Sequence, residues 1–299
     1  MATKKNNSYN FPHPMDNDYL VGHADVMKDF LSAWEVRDKH PLHPVWMLTG
    51  PRGIGKATLA YKIARMVYGN LGDFFIIDID RNIDKDGKQK NDGKVISVYT
   101  IRAMIEKMQM SSMSGDWRVV LIDSVDELNT SASNALLKLL EEPPAKTLFL
   151  LIVHQLSNVL PTVRSRSRVE KMRPLNISQL RELCAKFMPE ENISTETLKL
   201  ANGSFGNIAN LKKSGGDEVY EELIELLKRT KTNSSDIMTI SKKIAAQQEL
   251  HNILLNAIAY FKLADLYPMA THAIADINKI YLEPEIAIFK IITEIKKCL

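Results

Sequence analysis

The sequence predicts an α/β domain built on a parallel sheet, followed by a small helical domain and an all-α C-terminal domain. Three observations carry this expectation. Apolar strand-like runs alternate with helix-periodic segments through the first half of the chain. A glycine loop ending in lysine joins one such run to a helix. Past Pro174 the pattern is helical only. A chain of 299 residues is also too long for one ordinary core and suits two or three domains.

The elements follow in order. Residues 45–49 form an apolar strand that enters the loop Gly50-Pro-Arg-Gly-Ile-Gly-Lys56. Leu59, Ile63, Met66 and Val67 then recur at helical spacing, and Gly69 closes that helix. Residues 74–79 read as a second strand, and 81–94 as a charged, glycine-punctuated, solvent-exposed insertion. Ile101, Met104, Ile105 and Met108 make one face of a helix. Residues 118–123 form a continuous apolar strand ending in a carboxylate, as suits a parallel sheet buried on both faces. Asn129 and Thr130 can cap a helix through Glu141, which Pro143-Pro144 stops, and residues 147–153 give a further strand. The first domain is expected to span 1–172, with 1–10 a disordered tail. The blocks 173–214 and 215–299 are the small and the larger helical domains, divided at Ser214-Gly-Gly216.

Composition excludes several classes. Hydrophobic residues at 45% and charged residues at 25% lie near globular averages, which argues against a disordered chain or a membrane protein. No apolar run approaches the roughly 20 residues of a membrane span. The polar N-terminus lacks the apolar stretch of a secretory signal, so a cytoplasmic protein is expected. The two cysteines, Cys184 and Cys298, cannot form a four-ligand zinc site by themselves. A net charge of +3 is too small for a strong nucleic-acid binder acting alone, so any DNA contact is expected to be shared with partners.

Gly50, Gly53, Gly55 and Lys56, set between a strand and a helix, have the context of a P-loop, in which backbone N–H groups and the lysine surround phosphates. A Gly-Pro turn beside an incidental lysine is the bland alternative. The next position normally supplies a hydroxyl to Mg²⁺, but here it is Ala57, and a methyl group cannot ligate a metal. Thr58 points about 100° away along the helix and reads as a structural threonine rather than a substitute. Asp123 ends its strand where a metal-holding aspartate would stand, and Ser124 follows it. A hydroxyl of high pKa is a poor general base. Asp126 and Glu127 read as solvated or capping residues, and no role is assigned to His154.

The segments 48–60, 117–123, 134–144 (Asn-Ala-Leu-Leu-Lys-Leu-Leu-Glu-Glu-Pro-Pro) and 160–166 (Leu-Pro-Thr-Val-Arg-Ser-Arg), with Val21-Gly22-His23, together resemble bacterial DNA polymerase III clamp-loader delta-prime subunits of the AAA+ family. The resemblance covers residues 11–215 in motif detail and the remainder in length and character. It implies an AAA+ domain, a helical lid and a C-terminal collar. It also implies a five-subunit ring with gamma or tau and delta subunits, which opens a sliding clamp and closes it around primer-template DNA. In that family a Ser-Arg-Cys motif carries an arginine finger that reaches the ATP of a neighbouring subunit. The match here is Ser165 and Arg166, with Ser167 in place of cysteine. AAA+ ATPases usually carry a glutamate where Ser124 stands, and hydrolysing subunits carry a lid arginine where Gly206 stands. The family's frequent four-cysteine zinc module is missing too, since residues 70–95 contain no cysteine.

Two functional classes follow. One is a non-hydrolysing scaffold that is inactive alone, requires no cofactor, keeps at most weak vestigial ATP binding at residues 50–58 and Asp123, holds no metal, and donates Arg166 within the holoenzyme. The other is an active ATP-hydrolysing gamma- or tau-like subunit. The asymmetry of losses, three catalytic parts gone while Arg166 is retained, favours the scaffold. A small-molecule phosphotransferase is the least supported reading, because the chain continues into lid-like and collar-like helices.

Overall fold

The computed structural model describes residues 12–69, 73–89, 95–109, 117–247, 250–277 and 283–299; the tail expected over 1–10 lies outside them. The chain divides into two compact units, residues 11–187 with 203–205, and residues 188–202 with 206–299. This division follows contact density. Division by element type, at 172 and 214, assigns the helix Ile177–Phe187 differently.

In the first unit the elements are α1 (Ala24–Glu35), β1 (Val45–Thr49), α2 (Lys56–Tyr68), β2 (Phe74–Ile77), α3 (Val98–Gln109), β3 (Arg118–Asp123), α4 (Thr130–Glu141), β4 (Thr147–Val153), α5 (Pro161–Ser165), β5 (Arg168–Lys171) and α6 (Ile177–Phe187). Among the described residues the sheet has five strands in the order β2-β3-β4-β1-β5, and every pairing is parallel. Side chains alternate between faces along a strand, so each inner strand serves two cores. Trp46 and Leu48 join Val119, Leu121, Leu148 and Leu150 against α1 and α2. Val45 and Met47 join Val120, Ile122, Phe149 and Leu151 against α3, α4 and α5. All seven residues of β4 are buried, which explains its unbroken apolar sequence.

Several elements depart from the expectations. The second strand ends at Ile77 rather than 79, and Asp78 instead caps the turn by accepting from the Arg81 N–H at 2.8 Å. The 81–94 insertion is exposed at Arg81 and from Lys85 to Gln89, but Asn82 is fully buried, and residues 90–94 lie outside the described residues. The Asn82 amide donates to the Val95 carbonyl at 2.9 Å and accepts from the Ser97 N–H at 2.9 Å and the Thr100 hydroxyl at 2.8 Å. One short polar side chain thus fastens the insertion to the start of α3. The edge strand β5, Arg-Val-Glu-Lys, has no apolar run, as is common at edges that resist further pairing.

The second unit contains α7 (Thr195–Leu200), α8 (Phe205–Ser214, less its first residue), α9 (Gly216–Lys228), α10 (Ser234–Ala245), α11 (Asn252–Tyr260), α12 (Tyr267–Ile277) and α13 (Pro284–Lys297). Its core gathers Leu223, Leu227, Ile240, Ile244, Leu254, Ile288, Ile291, Ile292 and Ile295. Gly215, at φ 68°, caps α9, and Gly216 opens it. Asp217, almost wholly buried, is held by Lys212 at 2.6 Å. Among the described residues no helix is long and apolar enough to cross a membrane.

The apolar repeat of α13 divides by exposure: Ile292 and Ile295 are fully buried, whereas Ile286 is 57% exposed. Ile292→Ala or Ile295→Ala should therefore destabilise the chain by about 2–5 kcal/mol through lost packing and a residual cavity. Ile286→Ala should fall within about 0.5 kcal/mol of wild type. Urea denaturation of the three variants checks this, and equal losses would contradict the core assignment.

Candidate functional site

Parallel strands bring their carboxyl ends to one edge of the sheet, where open α/β sheets present their crevice. β1 delivers the loop 50–56, β3 delivers Asp123 and Ser124, and β4 delivers His154. The loop is tied at its base, since the Gly50 N–H donates to the Val153 carbonyl at 3.2 Å and the Met172 N–H to the Thr49 carbonyl at 2.8 Å. Gly50 is required by this closeness: a Cβ there would meet the Met172 carbonyl oxygen at 2.6 Å. Gly55, at φ 103°, takes a conformation that other residues rarely adopt and caps α2.

His23 roofs the loop. It is buried at a positive φ of 59°, and its Nε2 lies 2.8 Å from the Ile54 carbonyl. Lys56 is 3% exposed, and its ammonium donates to the Gly50 carbonyl at 2.6 Å and to that of Pro51. Burial pushes the Lys56 pKa down to about 8, against the opposing pull of Asp123 and Asp126, with Arg52 adding to the decrease. Asp123 is shifted the other way: burial raises its pKa, while the Ser124 hydroxyl, donating at 3.0 Å, and Lys56 draw it back. Ala57 and Thr58 are both half-buried on the first turn of α2. A divalent ion would find the Asp123 carboxylate here but a methyl group where the loop hydroxyl belongs, so the donor set is incomplete. Among the described residues no group of three or more His, Cys, Asp or Glu side chains is close enough to hold a metal.

The 3₁₀ turn Val125–Glu127 carries groups whose partners were not legible in the sequence. The Asp126 carboxylate accepts from the His154 and Gln155 N–H groups, each at 3.0 Å, and so caps the chain leaving β4. Glu127 pairs with Arg52 of the loop, and burial raises its pKa against that guanidinium's pull. His154 lies inside this cluster. Its Nε2 is 3.8 Å from Asp123 Oδ1, too long for a hydrogen bond, and its Nδ1 is buried without a hydrogen-bond partner among the described residues. Burial, with Lys56 and Arg52 adding to it and Asp126 opposing, pushes its pKa down to about 4, so the ring is neutral at pH 7.

Arg166 lies apart from the loop in the chain, just after α5. Its Nη2 pairs with Glu141 Oε1 at 2.7 Å, its Nη1 donates to the Thr162 carbonyl at 3.0 Å, and the side chain stays 35% exposed. Ser167, at the position where the resemblance expects cysteine, donates its hydroxyl to the Val163 carbonyl at 2.8 Å. Arg168 is a packing residue: its guanidinium sits 4.1 Å over the buried Trp46 ring and its Nε donates to Glu170 at 2.7 Å.

Residues 27–176 match the model of the family described as DNA polymerase III, delta subunit. The chain belongs to this clamp-loader family. Two relatives agree with the assignment. One is a DNA polymerase III subunit delta' of Pseudomonas aeruginosa, 29% identical over 231 residues, covering 69% of this chain and 67% of the relative. The other is a subunit gamma of Buchnera aphidicola subsp. Schizaphis graminum, 29% identical over 212 residues, covering 66% of this chain. The alignment spans only 58% of that gamma subunit's length. Among solved structures, a gamma subunit-related protein of Thermotoga maritima shares the fold, with a TM-score of 0.51 at 15% identity over 90% of this chain and 98% of the other. The family member described here thus combines an AAA+ P-loop domain with a helix-rich C-terminal region.

The neutral His154 sets an acid sensitivity. Its folded pKa, about 4, lies below the ordinary 6.5, so the unfolded chain binds a proton first and stability is lost as pH falls through this window. Between pH 7 and pH 5 the wild type should lose about 2 kcal/mol more than His154→Gln. Urea midpoints at the two pH values measure the difference, and parallel losses would show that His154 does not titrate in this way.

Proposed function

We propose that the chain is the delta-prime subunit of a DNA polymerase III clamp loader, a non-hydrolysing scaffold whose Arg166 serves the ATP of a neighbouring subunit. The observation that carries this reading is the contrast between the two regions. At the P-loop, Ala57 and Ser124 stand where a metal-ligating hydroxyl and a water-activating glutamate would be needed, and Lys56 is bound to the loop's own carbonyls. Arg166, by contrast, keeps a partly exposed guanidinium. Phosphoryl transfer spreads negative charge over the γ-phosphate oxygens, and a guanidinium that is always protonated neutralises it through fixed, forked donors.

In this reading residues 173–214 act as the lid and 215–299 as the collar. The partners are gamma or tau and delta subunits in a five-membered ring, together with the sliding clamp and primer-template DNA. Gly50, Gly53, Gly55 and Lys56 retain weak nucleotide binding that the chain does not require, and no zinc is needed. The competing reading, an ATP-hydrolysing gamma- or tau-like subunit, draws on the equal identity to the Buchnera gamma subunit. Ala57, Ser124 and Gly206 weigh against it, since each removes a different part of the hydrolytic apparatus.

The purified chain is expected to show no ATP turnover above background with or without Mg²⁺; robust turnover abolished by Lys56→Ala would favour the gamma-like reading instead. In a reconstituted complex, Arg166→Ala should leave assembly intact and depress DNA- and clamp-stimulated ATPase. An arginine finger contributes about 10³ to 10⁵ in rate at its own site, and one site among several loses less in total turnover. Arg164→Ala is the charge-matched control. Arg168 is unsuitable because its removal also unpacks Trp46. Equal losses from Arg164→Ala and Arg166→Ala that disappear at lower salt would identify a diffuse basic patch for DNA.

A further inference from the structure

Arg166 is held within its own chain by two acceptors, the Glu141 carboxylate and the Thr162 carbonyl. Glu141 is the last residue of α4, and Thr162, whose carbonyl accepts from Arg166 Nη1, belongs to α5. One contact is a charge-assisted bond to a side-chain carboxylate, and the other reaches back one turn to a carbonyl of the preceding helix. The Glu141 side chain is 46% exposed and that of Arg166 35% exposed, so the 2.7 Å pair lies at the surface within reach of a ligand brought by another molecule. The neighbouring arginine differs: Arg168 is committed to Trp46 and Glu170. An exposed carboxylate pair holds a guanidinium weakly, whereas a terminal phosphate offers more charge and more acceptor oxygens to the same forked donors.

From this geometry we infer that Glu141 is a positioning residue that restrains the Arg166 guanidinium and competes for it with the terminal phosphate of a nucleoside triphosphate held by a neighbouring subunit. The inference rests on the reading of Arg166 as a trans-acting finger. Engagement requires the phosphate to replace Glu141, so the pair sets a threshold that nucleotide binding next door must exceed.

The test is a double-mutant cycle in the reconstituted complex, read by steady-state ATPase. Glu141→Gln keeps shape and a hydrogen-bond acceptor while removing the charge, and Glu142→Gln removes the adjacent charge as a control. Relaxing one exposed pair should raise kcat/KM about two- to fivefold through a lower KM. The gain should vanish in the Arg166→Ala background and be absent in Glu142→Gln. A gain of the same size without Arg166, an equal gain from Glu142→Gln, or no change from Glu141→Gln while Arg166→Ala lowers turnover would each overturn the inference. If Arg166→Ala itself leaves turnover unchanged, the finger reading fails and the inference falls with it.

Discussion

The structure of the first unit depends on burying a parallel sheet on both faces at once. β1, β3 and β4 can be almost wholly apolar only because helices cover each side, and that arrangement requires parallel strands joined by helical crossovers. Parallel strands then release their chains at the same edge. The glycine loop, Asp123 and His154 therefore converge although they are some 30 to 100 positions apart in sequence. The site is a consequence of the core, and a break in either face would displace the loop and the carboxylate together.

Convergence at a largely desolvated edge brings an electrostatic cost that the chain offsets internally. Lys56 and Asp123 are shifted in opposite directions by the same burial, and each moderates the other. Arg52 is answered by Glu127, and Asp126 is taken up by two backbone N–H groups. Within the loop, Lys56 is satisfied by the carbonyls of Gly50 and Pro51. The Arg166 side chain, by contrast, lies outside this cluster and stays partly exposed beside Glu141.

The elements that sequence pattern missed share a physical character. β5 has no apolar run, because an edge strand packs through one long side chain, Arg168 lying over Trp46, rather than through a hydrophobic face. Asn82 stands in a charged stretch that reads as solvent loop, and only its three hydrogen bonds to residues 95–100 explain its burial. α1 was within reach, since Val26, Met27, Phe30, Ala33 and Trp34 keep helical spacing; its start depends on His23 at a positive φ, which no propensity suggests for that residue.

The sequence by itself determined the bounds of β1, β3, β4 and α4, and the glycine loop between β1 and α2. Each rests on local patterning: apolar continuity, glycines between a strand and a helix, and the Asn129 cap with proline after the helix. Only the tertiary structure decided which polar groups meet. The pairs Arg52 with Glu127, Asp126 with the His154 and Gln155 backbone, and Arg166 with Glu141 join residues 25 to 75 positions apart, and charge at one position carries no information about its distant partner. It also decided that α13 spends Ile292 and Ile295 on its own core and leaves Ile286 exposed, because a helical repeat specifies a face but not what covers it.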